Sequence, residues 1–186
     1  MKKIVVEEYN PIWKEEFDKA KSFYEALLQG VPSEIVHVGS TSVQSLWAKP
    51  ILDIDIIVNN ISDRDTAIAS LQRVGYIHIG DRGVDGREAF TYLDDNPHIN
   101  WMKHHLYLCI IGNQSLRNHL LLQKHLRKHR DVVEEYGRIK RNLAEKFPND
   151  IDSYIAGKTE FIAKILNSEG MDKDEIDRIK AINKKN

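Results

Sequence analysis

Residues 51–58 read ILDIDIIV, and they constrain the fold more than any other stretch. Six of the eight are aliphatic and five are β-branched, the mark of a short buried strand. Side chains alternate between faces along a strand. Leu52, Ile54, Ile56 and Val58 therefore share a wholly apolar face. Ile51, Asp53, Asp55 and Ile57 share the other, with an acidic centre. Like charges on one face repel, and Asp is a poor strand former, so a compensating cation is expected. Two residues along a strand rise roughly 6.5–7 Å, so two flexible carboxylates can converge on one divalent ion, or on a pair about 3.5–4 Å apart. Oxygen ligands of this kind suit Mg²⁺ (or Mn²⁺). The alternative is a solvated strand face on which Asp is only polar.

The residues upstream favour a ligand. "HVGSTS" closes a short strand, 34–38, and precedes a short helix and then the strand with the two aspartates. Gly39 lets the backbone approach a ligand closely, and amides at a helix start donate to anions. Ser40, Thr41 and Ser42 add hydroxyls, and Thr41 or Ser42 can cap a short helix running toward Trp47. Lys49, four residues before Asp53, is placed to reach a phosphate or to neutralise the carboxylates.

Periodicity predicts a first helix in "NPIWKEEFDKAKSFYEALLQG", with Ile12, Phe17, Phe23, Tyr24, Leu27 and Leu28 as its apolar residues. A second helix is expected from Asp63, as its cap, to Gly75. "YIHIG", "EAFTYLD" and "HHLYLCII" read as three strands. From Asn113 the period is helical, with helices over about 114–129, 131–146, 150–167 and 171–183. The fold class is α+β, a mixed sheet with flanking helices and a helical C-terminal half. The expected division is an α/β core over 1–112 and a helical region over 113–186 packed on it.

Net charge is −1, so the chain as a whole is not steered toward nucleic acid or membrane. Cys109 is the single cysteine, and no apolar run reaches 18 residues. The start "MKKIVVEEYN" lacks a signal-peptide core. A soluble cytoplasmic protein is expected. Charge is nonetheless uneven: Asn96–Arg130 contains no acid, six of the eight histidines and six Lys or Arg residues. Such a field suits a triphosphate, a phosphorylated small molecule or, more weakly, RNA. The alternative is a helix face balanced by acids elsewhere. Zinc is not expected. His104 and His105 point to opposite faces of a strand, and His125 and His129 sit among cations in that acid-free stretch. Trp13, Trp47 and Trp101 read as packing residues.

"HVGSTSVQSLWAKPILDI", His37–Ile54, resembles the GrpB family pattern H-x-G-S-T-S-V-x-x-L-x-A-K-P-x-x-D-I. The likeness extends over nearly the whole chain, through "YNPIW", "HHLYLC", "EYGRIK" and "YIAGKTEFI". The family's fold belongs to the nucleotidyltransferase superfamily. That resemblance implies transfer of a nucleoside monophosphate from an NTP to an acceptor. It implies that Gly39 and Ser40 hold the β- and γ-phosphates, and that Asp53 and Asp55 hold Mg²⁺. Such enzymes usually carry a third carboxylate on a neighbouring strand. Here the late strand offers His105, Tyr107 and Cys109 instead, and Glu88 in "GREAF" is a possible third acid. His105 is expected to take the third place as base, ligand or hydrogen-bond donor, and to matter more than His119. The family's F-R-D-x-L-R reads "LQKHLR" at Leu122–Arg127, without its Arg-Asp pair. These departures suit a second reading, a nucleotide- or phosphate-binding regulatory module without turnover.

Overall fold

The computed structural model describes residues 3–84 and 86–183. The chain divides into two compact units, each described by itself. One comprises Asn10–Ser42 and Ile51–His119. It opens with helix α1, Ile12–Leu27, whose buried residues are Trp13, Phe17, Ala20 and Tyr24. These recur every three or four positions and make one face. Ile12, expected in that stripe, is 41 % exposed, because the face that holds Phe17 and Tyr24 continues back to Trp13. Asn10 Oδ1 accepts the Ile12 amide at 3.0 Å and starts the helix.

Five strands follow: β1 Ser33–Val38, β2 Leu52–Val58, β3 Ile77–His78, β4 Arg87–Thr91 and β5 His104–Ile110. They form one sheet in the order β1-β2-β5-β4-β3. β2 and β5 are parallel and the other pairs antiparallel, so the sheet is mixed, as expected. Leu52, Ile54, Ile56 and Val58 are all buried, as the apolar face of β2 requires. Burial of each such side chain is worth about 1.5–3 kcal/mol. Helix α2 spans Ile61–Arg73. Its cap is Asn60 rather than Asp63: the Asn60 side chain accepts the Asp63 amide at 3.0 Å and donates to Asp63 Oδ2 at 2.8 Å. Asn60 has the extended backbone a cap needs, whereas Asp63 is already inside the first turn.

The same unit buries a polar cluster on His104, which is 3 % exposed. Trp101 Nε1 donates to His104 Nδ1 at 3.1 Å, and the same Nδ1 lies 3.3 Å from the Met102 carbonyl. Nε2 lies 2.7 Å from the Tyr76 hydroxyl and 3.1 Å from that of Tyr24. Burial lowers the His104 pKa to about 4, so the ring is neutral.

The other unit comprises Met1–Tyr9, Val43–Pro50 and Leu120–Asn186. Helix α3, Gln114–Lys128, contains the division between His119 and Leu120. α4 spans Arg130–Lys146, α5 Ile151–Ser168 and α6 Lys173–Asn183, within two residues of the periods read in sequence. Val43, Leu46, Leu126, Val133, Tyr136 and Ile165 form one core, and Ala163, Leu166, Met171 and Ile176 another. Glu7 and Ala48 exchange two backbone hydrogen bonds, at 2.8 and 2.9 Å. None of the helices among the described residues is long and apolar enough to cross a membrane.

Candidate active site

The site grows from the edge-to-centre order of the sheet. β1 ends at Val38, whose register partner on β2 is Asp53. The next residue, Gly39, has φ +68°, and a Cβ there would stand 2.1 Å from Asp53 Oδ2. Only glycine allows the turn to lie this close to the carboxylate. Residues Ser40–Ser42 form a single 3₁₀ turn. Its hydroxyls divide between two roles. Thr41 is 2 % exposed and its Oγ1 lies 2.9 Å from His37 Nε2. Ser42 Oγ donates to the Gly39 carbonyl at 2.6 Å. Both therefore brace the turn. The half-buried Ser40 makes no side-chain hydrogen bond among the described residues. His37 is itself stacked on Phe17, with ring centroids 4.6 Å apart.

β5 pairs with β2 in parallel register, His105 opposite Asp53 and Tyr107 opposite Asp55. His105 Nδ1–H donates to Asp53 Oδ1 at 2.9 Å. Asp53 is 32 % exposed and His105 46 %. Asp55 is fully buried, and its Oδ2 accepts from His119 Nδ1 at 2.8 Å. His119, the histidine of lesser expected weight, comes from α3 and is the partner of the more deeply buried acid. Burial acts to lower the His119 pKa, but the Asp55 charge opposes it and the net shift is upward.

The rest of the face is built from the same strands. Arg87, paired with Cys109 in the β4–β5 register, places its guanidinium carbon 4.6 Å over the Tyr107 ring. Burial, then the charge of Asp53, pushes the Tyr107 hydroxyl up to about 12, so it is a neutral donor. Burial likewise raises the Cys109 thiol, which leaves it unreactive. Glu88 does not join this face. It is paired with Leu108, on the opposite side of the sheet, and bonds to His78 at 2.7 Å. It is therefore not the third acid. Lys49 belongs to the other unit, with its ammonium 5.8 Å from the centroid of the Tyr154 ring.

His119 and Arg87 are hidden in the sequence for different reasons. Asn113, immediately before α3, marks where the period changes, with no clue to which helical turn meets the sheet. Arg87 stands just inside β4, at a position that reads as loop.

The residues present fit a hard divalent cation. Asp55 Oδ1 is buried and has no hydrogen-bond partner among the described residues. A buried, unsatisfied carboxylate oxygen is costly unless a cation or donor meets it. Asp53 contributes a second oxygen donor set from the same face.

Because Asp55 is enclosed and Asp53 is not, the two imidazoles differ in weight. His119→Ala is expected to destabilise the protein by about 1–3 kcal/mol, since it strips a buried carboxylate of its donor. His105→Ala is expected to cost less than about 1 kcal/mol, as a half-exposed pair. Urea unfolding of both variants checks the order. Equal losses would show that Asp55 does not depend on His119.

Comparison with known proteins agrees with this architecture. The profile of the GrpB protein family matches residues 3–168. The chain is 32 % identical over 165 residues to the glutamate-rich protein GrpB of Alkalihalophilus pseudofirmus, covering 88 % of this chain and 94 % of that one. It is 33 % identical over 161 residues to the protein YqkA of Bacillus subtilis, covering 87 % of this chain but 46 % of YqkA. The chain thus spans about half the length of that relative. The crystal structure of a GrpB protein from Enterococcus faecalis superimposes with a TM-score of 0.74 at 32 % identity, over 95 % of this chain and 98 % of that one. The Cid1 poly(U) polymerase bound to MgGTP matches more distantly, with a TM-score of 0.53 at 12 % identity, over 75 % of this chain and 44 % of that one. That likeness is one of fold. The His37–Ile54 motif, the mixed sheet and the family profile all lead to one assignment: this chain belongs to the GrpB family, on a nucleotidyltransferase-like fold.

Proposed function

We propose that this protein binds a metal–nucleoside triphosphate at the Asp53–Asp55 face and transfers its nucleoside monophosphate to an acceptor. The observation that carries the reading is the close approach of Gly39 to Asp53 beside the buried, unsatisfied Asp55 Oδ1. A glycine turn with its backbone amides and two carboxylates would thereby serve one metal–phosphate ligand together. Asp53 and Asp55 would hold Mg²⁺ (or Mn²⁺), which supplies charge stabilisation for displacement at the α-phosphorus. The Ser40 hydroxyl and the amides of its turn would orient the terminal phosphates. His105 gives its Nδ1–H to Asp53, which leaves the lone pair on Nε2 of a half-exposed ring. That nitrogen would take the proton of an attacking hydroxyl. Arg87 would neutralise charge at the far end of the face.

One observation favours the second reading, a binding module without turnover. The position beside Asp53 on β5 is an imidazole, and Glu88 lies on the other side of the sheet. No third carboxylate completes the face among the described residues.

Equilibrium binding of each NTP, with and without Mg²⁺, tests the proposal. Mg²⁺ is expected to tighten binding at least about ten-fold in the wild type, corresponding to about 1.4 kcal/mol. The Asp53→Asn/Asp55→Asn variant is expected to lose that gain while keeping its fold by circular dichroism. Equal metal dependence in the double variant rules out the carboxylates as the site. Pyrophosphate release with a metabolite pool then separates the two readings, since a module binds without releasing it.

A further inference from the structure

We infer that His125, His129 and Glu169 form a second metal site, for one transition-metal ion of the Zn²⁺ class. All three residues lie in the helical unit and none belongs to the acidic face. The proposal does not depend on the nucleotidyltransferase reading. One ring nitrogen from each histidine and one carboxylate oxygen of Glu169 lie within 4.8 Å of one another. The sequence argues against zinc here because the span that holds the two histidines, 96–130, contains no acid and is rich in cations. Folding supplies the acid from the end of α5. His125 Nδ1 is 2.8 Å from Glu169 Oε1, and the two imidazole centroids are 4.2 Å apart.

The backbone around each residue is fixed. His125 is in α3, and His129 is the residue that caps α4. The His129 amide donates to the His125 carbonyl at 3.1 Å. Glu169 is the C-cap of α5, its amide bonded to the Ile165 carbonyl at 3.1 Å. Two chain segments, the α3–α4 junction and the end of α5, thus present the ligands from helix ends, where short side-chain adjustments suffice. Tetrahedral Zn²⁺ has ligand bonds of about 2.0–2.2 Å, so its ligand atoms stand roughly 3.3–3.5 Å apart. The His125–Glu169 hydrogen bond of 2.8 Å has to open to that spacing, and no ligand atom of the three stands more than 4.8 Å from another, a span that rotation of the exposed His129 ring can adjust.

The donor set selects the ion. Two imidazoles and one carboxylate suit Zn²⁺, and leave a fourth position for water or a small ligand. Mg²⁺ and Ca²⁺ require mostly oxygen ligands and are poorly served. The hydrogen bond from His125, and then the charges of Lys124 and Lys128, hold the Glu169 carboxyl below its usual range. The two lysines oppose an incoming dication, and this penalises ions that bind by charge alone more than ions that bond to nitrogen.

The test is calorimetric titration of the full chain with Zn²⁺ in excess Mg²⁺, repeated with Co²⁺ to read coordination from its visible spectrum. One equivalent of Zn²⁺ is expected to bind, and Co²⁺ is expected to give the intense bands of a four-coordinate site. His125→Ala and Glu169→Gln should each weaken binding at least about ten-fold. Asp53→Asn/Asp55→Asn should leave it unchanged. If His125→Ala misfolds, His129→Asn, at the exposed ligand, carries the same expectation. Wild-type affinity in Glu169→Gln and His129→Asn would overturn the site. So would loss of Zn²⁺ binding in the aspartate variant instead, or Zn²⁺ binding no tighter than Mg²⁺.

Discussion

Replacing Gly39 by alanine is expected to destabilise the protein by about 3 kcal/mol. Two costs combine. An L-residue at φ +68° pays roughly 1–2 kcal/mol for the left-handed conformation. The added methyl then meets Asp53 at 2.1 Å from Oδ2, 2.8 Å from Cγ and 2.9 Å from Cβ. A rotamer change can move the carboxylate but not Asp53 Cβ, which is fixed to a strand paired on both sides. Overpacking of this kind costs about 1–3 kcal/mol. Gly80 provides the control. It has φ +73°, and an alanine methyl there would have no atom within 4 Å, so Gly80→Ala isolates the conformational cost. Urea unfolding of both variants is expected to show Gly39→Ala as the more damaging by at least about 1 kcal/mol. Equal losses would mean that the turn does not press on Asp53.

The second large effect is a dependence on pH. His104 titrates at about 6.5 in an unfolded chain but only at about 4 in its buried cluster. Between those values the unfolded chain binds a proton that the folded one refuses. Its contribution is therefore complete above pH 6.5 and drains away as pH falls toward 4. The full loss is about 3 kcal/mol, from 1.36 kcal/mol per unit. His104→Gln can still accept from Trp101 and donate to Tyr76, but it does not titrate. Wild type is expected to lose about 3 kcal/mol more than this variant between neutral pH and the bottom of that range. His119, whose pKa is raised, works in the opposite sense: its pairing with Asp55 is complete below about 6.5 and is lost as pH rises through the higher value. Both chains contain His119, so its effect cancels in the comparison. Parallel stability curves for the two chains would refute the neutral, buried His104.

The parts of this fold that follow from local rules are legible in the sequence. Period-2 alternation puts Leu52, Ile54, Ile56 and Val58 in the core and both aspartates on one face. The same rule separates His104 from His105, the first buried and the second half-exposed. The parallel register of β2 and β5 brings His105 to Asp53. What is illegible depends on which turn of a helix meets a distant residue. His119 is 64 residues from Asp55, and Glu169 is 44 from His125. No local pattern encodes either contact. Thr41 misleads for a smaller reason. A hydroxyl in a turn looks the same in sequence whether it faces a ligand or, as here, the His37 ring. Asn60 and Asp63 are both good capping residues, and only the extended backbone of Asn60 decides between them.

The parallel pairing of β2 with β5 also fixes when the acidic face comes into being. Its two strands are neighbours in the sheet, yet α2, β3 and β4 intervene in the chain. Contacts so distant in sequence form slowly, because loop closure must precede the gain from pairing. A chain emerging from the ribosome through β4 already has both aspartates. It has neither His105 nor His119. β1 and β2 can form their hairpin with the carboxylates still in water, and their desolvation waits until β5 and α3 arrive with the imidazoles. The mutual repulsion of Asp53 and Asp55 is thereby deferred to the step that brings its compensation, and it does not burden the early steps of folding.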